Sequence, residues 1–210
     1  MARQTAISIN TIPIGPLGII GMPGCEELTD KIDKYLVKWR KTQAIEHAES
    51  IAFFGYQRDS YKIDITIPRF GSGEGKGVIN ESVRGYDIYI VCDVFNYSCT
   101  YNMYGKEVCM SPDDHFADLK RVISALCSKP KRVSVIMPML YEGRQHKRSS
   151  RESLDCAMAL KELVHLGVEN IITFDAHDQR VQNAIPDKSF ENVMPTYQMI
   201  KALVNNVDDL

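Results

Sequence analysis

The sequence predicts an α/β protein with a doubly wound, mainly parallel sheet flanked by helices, built as a single domain over residues 1–210. Two observations favour this class. Short apolar runs rich in β-branched residues are typical of buried strands, and in the second half they alternate with helical patterns. These runs are Asp87–Val91, Val133–Met137 and Ile171–Phe174. Strands that alternate with helices form parallel sheets, because each helix carries the chain back across the sheet.

The first part of the chain predicts three strands and one helix. A turn-rich start leads to a short strand at Leu17–Ile20, and a helix with one apolar face follows over Glu26–Arg40. Apolar and β-branched residues then dominate Ile51–Phe54 and Tyr61–Ile67, which predicts a strand at each.

A glycine-rich loop, Pro68–Gly77, lies between these strands and the next buried strand. It can expose backbone amide groups to an anion or simply turn tightly, and the glycines alone do not decide between the two. The connection over residues 93–111 is rich in Tyr, Asn and Cys and predicts no regular element. Its tyrosines, Tyr97, Tyr101 and Tyr104, are expected to pack an insertion, and no chemical role follows from the pattern.

Capping signals mark the helices of the second half. Ser111 with Pro112 and two acids predicts a helix start, since the serine hydroxyl can accept from backbone amides and proline suits the first turn. Ser149 and Glu152 have capping-box spacing, which predicts that the next helix begins there and ends near Leu166. A last helix is predicted over Thr196–Val204.

Composition excludes several classes of protein. The apolar fraction of 44% and the charged fraction of 25% are those of a globular protein. A net charge of -2 argues against a general nucleic-acid binder. No apolar run approaches the length of a membrane span, and the first residues have no secretory pattern, so neither nucleic acid nor a membrane is an expected partner.

The cysteines indicate a reducing compartment. There are 6, and no two have Cys-x-x-Cys spacing, so a zinc site is not expected. Cys92, Cys127 and Cys156 have apolar surroundings and are predicted to be reduced core residues. We therefore expect a cytoplasmic protein.

Polar residues follow two of the predicted strands, where open α/β sheets bind ligands. Gly143–Arg148 is cationic, and Asp175–Arg180 carries carboxylates, an imidazole and an amide. Cations meet phosphate oxygens, while a carboxylate and a neutral imidazole can hold or orient a metal ion. Each loop taken alone also fits an ordinary solvated loop, but together they predict a site for a metal-bound polyphosphate.

Four segments of the chain resemble, in the same order, segments of the amino-terminal half of ribose-phosphate pyrophosphokinase. The resemblance extends, with gaps, from about Gly21 to Leu203. The four segments are Arg69–Glu74, Ile79–Val91, Pro138–Arg148 and Thr173–His177. The resemblance implies a phosphoribosyltransferase-like fold and transfer of diphosphate from Mg-ATP to ribose 5-phosphate, which gives phosphoribosyl pyrophosphate and AMP. Extra residues around 40–65 and 96–110 indicate a divergent branch.

The resemblance also implies roles for residues of the two loops. Arg144 and Gln145 are expected to contact ATP, and His146 belongs to the same ATP-binding segment. His177 is expected to act in catalysis and to serve the Mg²⁺–phosphate assembly, with Asp175 as the second catalytic residue that shapes the turn.

Further roles are implied at positions outside these loops. Phe70 and Glu74 are expected to approach the adenine from a neighbouring subunit. Ser82 and Arg84 fall in a regulatory anion site at a subunit interface, for inorganic phosphate or ADP. A homo-oligomer is therefore expected.

Three departures from the family pattern leave alternatives open. Ser72 and His146 stand where the family has acids, and the helix after the basic loop opens with Ser153–Ala157 in place of the family's pattern. The family's second half, with its ribose-phosphate loop, has no counterpart before Leu210. The chain is therefore expected to be an amino-terminal fragment, inactive alone. A silent regulatory homologue that assembles with active subunits is the alternative, and a phosphoribosyltransferase is a weaker one.

Overall fold

A computed structural model describes residues 13–46 and 57–207, with only the backbone described at 43–46. Along the chain, the strands are β1 (Leu17–Gly21), β2 (Ile65–Thr66), β3 (Val78–Ile79), β4 (Asp87–Val91), β5 (Thr100–Met103), β6 (Lys106–Cys109), β7 (Arg132–Met137), β8 (Asn170–Phe174) and β9 (Ser189–Val193). The α-helices are α1 (Glu26–Glu46), α2 (Pro112–Ala125), α3 (Asp155–His165) and α4 (Thr196–Asn206), and a 3₁₀ helix spans Gln179–Ala184.

The central sheet has five strands in the order β1-β4-β7-β8-β9, and every neighbouring pair is parallel. The parallel arrangement predicted from the alternating pattern is therefore confirmed. Two small antiparallel pairs, β2-β3 and β5-β6, lie outside this sheet. Because the strands run the same way, the loops that follow β7 and β8 meet at one edge of the sheet.

Helices cover both faces of the sheet. On one face, Ile19 and Val91 pack with partly buried residues of α1 such as Leu36. On the other face, strand residues such as Ile90 join the buried side chains of α2 and α3 in the larger core. Side chains of a strand alternate between its two faces, so burial on both faces explains the nearly continuous apolar runs of β4 and β7.

The two capping signals have different outcomes. Ser111 caps α2 as predicted, because its hydroxyl accepts from the Asp114 amide at 3.1 Å and the Asp114 carboxylate accepts from the Ser111 amide at 2.9 Å. The capping box at Ser149 was wrong as a helix start, since α3 begins at Asp155. Glu152 does accept from the Ser149 amide at 3.2 Å, but this bond closes a turn in an exposed loop that runs on to the helix.

Some strands differ from the sequence-based expectation. β9 and the β5-β6 hairpin were not predicted, and within Tyr61–Ile67 only β2 forms, while Lys62 makes an isolated parallel bridge to Ile19. The strand predicted at 51–54 lies outside the described residues. β9 and the β5-β6 hairpin pair at the periphery, where partner geometry rather than apolar pattern decides whether a strand forms.

The prediction that Cys127 lies in the core was wrong. Cys127 is exposed and has a left-handed φ of 51°, as has Ser128 at 52°, because the chain reverses here between α2 and β7. Cys92 and Cys156 are buried as predicted. All six cysteines are free thiols.

The last helix, α4, has no buried residue. Its apolar side chains are more than half exposed, and Ile200 and Leu203 fall on the same stripe of the helix as Tyr197 and Val204. Elsewhere in the protein an apolar stripe of this kind faces a core. Among the helices that the structure describes, none has the length and apolar character that crossing a membrane requires.

Candidate functional site

A cavity of about 770 Å³ opens at the carboxyl ends of β7 and β8. It is lined by residues 138–145 after β7, by residues 174–177 at the end of β8 and just beyond it, and by Phe95 and Pro112 on a third side. Four of the predicted site residues therefore meet at one place: Arg144, Gln145, Asp175 and His177. The expectation that the two loops share an edge of the sheet is confirmed in this respect.

The basic loop is held mainly by hydrogen bonds of its own backbone. The Gly143 amide donates to the Leu140 carbonyl at 3.1 Å, and the Gln145 amide donates to the Glu142 carbonyl at 2.8 Å. The Gln145 carbonyl then accepts from the Cys156 amide at 3.3 Å, which ties the loop to the first turn of α3. Within the described chain no carboxylate pairs with Arg144, and its exposed guanidinium is available to an anion.

The turn after β8 is shaped by strand β9. Asp175 has a left-handed φ of 47°, and its amide donates to the Val193 carbonyl at 3.1 Å. The next amide, of Ala176, donates to the side-chain oxygen of Asn192 at 2.9 Å. Non-glycine residues in this backbone region are uncommon and concentrate at functional sites, and aspartate tolerates it better than most. Asn192 was missed in the sequence because the strand that carries it was not predicted.

His146 does not line the cavity, although it was predicted to belong to the ATP-binding set. Its ring is nine-tenths buried and contacts the ring of His177 edge to face, with centroids 5.2 Å apart. Nε2 of His146 lies 3.2 Å from the Asp178 carboxylate and donates to it, since a carboxylate only accepts. Hydrogen bonds from Arg180 lower the pKa of Asp178, which keeps this acceptor ionised at neutral pH. Through its contacts with His177 and Asp178, His146 therefore links the loop after β7 to the loop after β8.

Tyr141 and Glu142 also line the cavity and were not singled out from the sequence. The Tyr141 ring stacks on Phe116 at 4.2 Å, and its hydroxyl donates to the Asp113 carboxylate at 2.6 Å. Burial and this carboxylate raise the pKa of Tyr141. Burial, and then the negative charges of Asp155 and Asp113, raise the pKa of Glu142. The only sequence signal was their position just before Gly143-Arg144.

Phe70 and Glu74 lie on the glycine loop and are not among the residues that line the cavity. The loop closes through bonds from the Phe70 amide to the Glu74 carbonyl and from the Gly73 amide to the Phe70 carbonyl, both 2.8 Å. The Phe70 side chain is 56% exposed. These two predicted adenine contacts therefore do not join the other site residues within one chain.

Ser82 and Arg84 lie near the amino end of β4, whereas the cavity lies at the carboxyl ends of the parallel strands. They precede β4, and the neighbouring Gly85 amide donates to the carbonyl of Lys129, just before β7, at 3.0 Å. Both side chains are exposed, whereas Val83 between them is buried. The predicted regulatory anion site is therefore separate from the cavity.

Mg²⁺ fits the cavity only as an ion shared with a substrate. Among the described residues, no group of three or more His, Cys, Asp or Glu side chains could hold a metal ion. Mg²⁺ in phosphate-transfer sites is commonly held by one or two carboxylates together with substrate phosphates and water. Asp175 could supply the carboxylate of that arrangement, with oxygens of a bound polyphosphate and water completing the shell, and His177 would orient the bound phosphates beside it.

A family model described as the N-terminal domain of ribose phosphate pyrophosphokinase matches residues 17–167 of this chain. The chain belongs to this family. Among curated relatives, ribose-phosphate pyrophosphokinase of Vibrio cholerae is 25% identical over 150 residues, which cover 70% of this chain and 43% of the relative. Ribose-phosphate pyrophosphokinase 1 of Schizosaccharomyces pombe is 29% identical over 148 residues, which cover 70% and 32%.

A solved structure gives the same answer for the fold. The chain is similar to phosphoribosylpyrophosphate synthetase from Mycobacterium smegmatis, with a TM-score of 0.66 and 18% identity over 91% of this chain. The match covers 52% of the mycobacterial chain. This chain thus spans about half or less of the length of these relatives, and its residues 17–167 match the family's amino-terminal domain.

Proposed function

We propose that this chain binds Mg-ATP in the cavity after β7 and β8 and forms the nucleotide-binding half of a ribose-phosphate diphosphokinase. The observation that carries the proposal is that Arg144 and Gln145 border the same cavity as Asp175 and His177. A cation, an amide, a carboxylate and an imidazole thereby converge on a space large enough for a ligand of nucleotide size.

In the proposed reaction, the anomeric hydroxyl of ribose 5-phosphate gives up its proton to solvent, and its oxygen bonds to the β-phosphorus of ATP. The bond from that phosphorus to the oxygen bridging the α- and β-phosphates breaks, so AMP leaves and phosphoribosyl pyrophosphate forms. Phosphoryl transfer needs positioning and neutralisation of charge rather than a covalent nucleophile. The fork of Arg144 suits phosphate oxygens, and bound Mg²⁺ supplies further charge neutralisation.

His177 and Asp175 act on the metal-phosphate side of the cavity. The left-handed turn at Asp175 fixes where both side chains leave the backbone, and Asn192 holds that turn from β9. His146 supports His177 from beneath while Asp178 holds the His146 ring. In the proposed site His146 is thus a positioning residue.

A complete site requires a second copy of the chain under this proposal. Phe70 and Glu74 lie away from the cavity of their own chain, and Phe70 is exposed, which supports contact with a nucleotide held by a neighbouring subunit. We place the phosphate or ADP effector at Ser82 and Arg84, at the other edge of the sheet. The six free cysteines support a cytoplasmic location.

A regulatory homologue is the second candidate, because the family pattern implied by the sequence resemblance has acids where this chain has His146 and Ser72. His146 is occupied by its contact with Asp178, and the Ser72 hydroxyl donates to Glu74 at 2.8 Å. Such a protein would bind nucleotide or phosphate and assemble with active subunits without transferring diphosphate itself.

We expect the chain alone to bind Mg-ATP but to form no AMP in the presence of ribose 5-phosphate, since it spans less than half of the Vibrio cholerae enzyme. Calorimetric titration with Mg-ATP and an assay for AMP formation test the two parts separately. Absence of Mg-ATP binding would contradict the proposed site. Formation of AMP that depends on ribose 5-phosphate would contradict the expected need for further residues.

A further inference from the structure

The β5-β6 hairpin is fastened to the glycine loop. The Tyr104 amide, at the tip of the hairpin, donates to the Gly71 carbonyl at 2.8 Å. The Arg69 guanidinium lies 4.6 Å from the centre of the Tyr101 ring. At Gly73, with a φ of +92°, a Cβ atom would come within 2.9 Å of the Met103 sulfur. The two segments therefore pack as one unit, in which the backbone of Tyr104 is bonded to the residue that follows Phe70.

A buried carboxylate of α2 holds this unit against the helix. Asp118 of α2 is 2% exposed at its side chain and accepts from Arg69 and from Arg121, both at 2.6 Å. Arg69 also donates to the Gly73 carbonyl at 3.1 Å, so it bridges α2 and the glycine loop. These bonds of the neighbouring Arg69 to α2 and to Gly73 hold the backbone of Phe70 in place.

Tyr104 occupies an unfavourable backbone position, and within the described part of the chain its side chain makes no hydrogen bond, ring contact or cation contact that offsets the strain. Tyr104 and Gly105 form the two-residue turn of the hairpin, with φ values of 49° and 78°. Asn and Gly are strongly preferred at such turns, because a bulky residue at positive φ is strained. The Tyr104 side chain is nevertheless 79% exposed. Strain retained at an exposed aromatic residue points to use in binding another molecule.

We propose that Phe70 and Tyr104 together form an aromatic platform for the purine base of a nucleotide, which makes Tyr104 a base-contacting residue. This proposal rests on the proposed function, and it places the base in the cavity of a second copy, since neither residue lines the cavity of its own chain. Aromatic faces stack on bases. The adjoining Ser72–Glu74 pair offers a hydroxyl and a carboxylate to the edge of the base.

The test compares two ligands that differ in the base. Mg-ATP and Mg-tripolyphosphate are titrated into the parent chain and into Tyr104→Asn, Tyr104→Phe and Arg144→Ala variants. Tyr97→Asn is the matched control, because Tyr97 is 68% exposed in the same connection but has no contact with the glycine loop among the described residues. Asn suits the turn, so Tyr104→Asn is expected to melt at the parent temperature or above it.

The platform predicts that Tyr104→Asn weakens Mg-ATP binding about fivefold or more and leaves Mg-tripolyphosphate binding unchanged. Tyr104→Phe and Tyr97→Asn should both bind like the parent, and Arg144→Ala should weaken the binding of both ligands.

Unchanged Mg-ATP affinity in Tyr104→Asn, or an equal loss of affinity for both ligands, would overturn the platform while leaving the cavity assignment standing. Loss of self-association in Tyr104→Asn would instead show that Tyr104 contacts a neighbouring subunit, and this result would also overturn the platform. Failure of the parent to bind either ligand would overturn the proposed function together with the platform.

Discussion

Replacing Asp118 by alanine is expected to lower the free energy of unfolding by about 3–5 kcal/mol, the usual effect of removing one partner from a buried ion pair. Asp118 is almost completely buried, and its two oxygens separately accept from Arg69 and Arg121. Arg69 is also shielded, with 11% of its side chain exposed. Without the carboxylate, the Arg69 charge stays largely out of water and unneutralised, which is the main source of the loss.

Chemical denaturation of the variant measures this effect, and Arg121→Ala supplies a matched control. Arg121 contacts the same carboxylate but is 33% exposed, so water compensates for much of its charge. The control should lose less, about 1 kcal/mol, because solvent weakens the contribution of the partly exposed Arg121 and Asp118 keeps its hydrogen bond from Arg69. A loss below about 1 kcal/mol for Asp118→Ala would contradict the anchoring role given to this carboxylate.

Replacing Arg144 by alanine is expected to weaken Mg-ATP binding by about 1.5–3 kcal/mol, or about 10- to 150-fold, as for loss of a hydrogen bond to a charged group. Arg144 borders the cavity and has no carboxylate partner in the described part of the chain, so its charge is available to phosphate. Arg144→Lys should recover part of the affinity, because it restores the charge without the planar fork.

Arg151→Ala controls for the general positive charge of this segment. Arg151 is exposed, lies in the same basic stretch and does not line the cavity. Its removal should change Mg-ATP affinity by less than about 0.5 kcal/mol at moderate ionic strength. Equal losses for Arg144→Ala and Arg151→Ala would mean that diffuse attraction, rather than a contact in the cavity, draws the nucleotide to the chain.

The central fold was predictable because its strands are buried on both faces. In β4 and β7 nearly every position faces a core, so the runs Asp87–Val91 and Val133–Met137 are apolar except at Asp87 and Ser134, and their pattern identifies them. By contrast, β9 reads Ser-Phe-Glu-Asn-Val and lies at the edge of the sheet, where only its pairing with β8 makes it a strand. The β5-β6 hairpin turns at Tyr104-Gly105 rather than at Asn-Gly, so the sequence lacks the dipeptide that usually indicates a hairpin.

Much of the candidate site was predictable for a related reason. Arg144 and His177 follow neighbouring parallel strands, so the topology alone brings their loops to one edge of the sheet. The place of His146 beneath His177 was not predictable, because it depends on how the loops pack, through Asp178. Tyr141 was missed for the same reason, since its partners Phe116 and Asp113 belong to α2.

The most direct test of the central claim is backbone amide chemical-shift mapping while Mg-ATP is added to the chain. The nucleotide-bound cavity predicts that the largest shifts cluster in residues 138–145 and 174–177, the two loops that line it. It also predicts that the amides of Ser82 and Arg84, at the other edge of the sheet, change less. Largest shifts around Ser82 and Arg84, with the two cavity loops unmoved, would contradict the account and place the nucleotide at the predicted regulatory site.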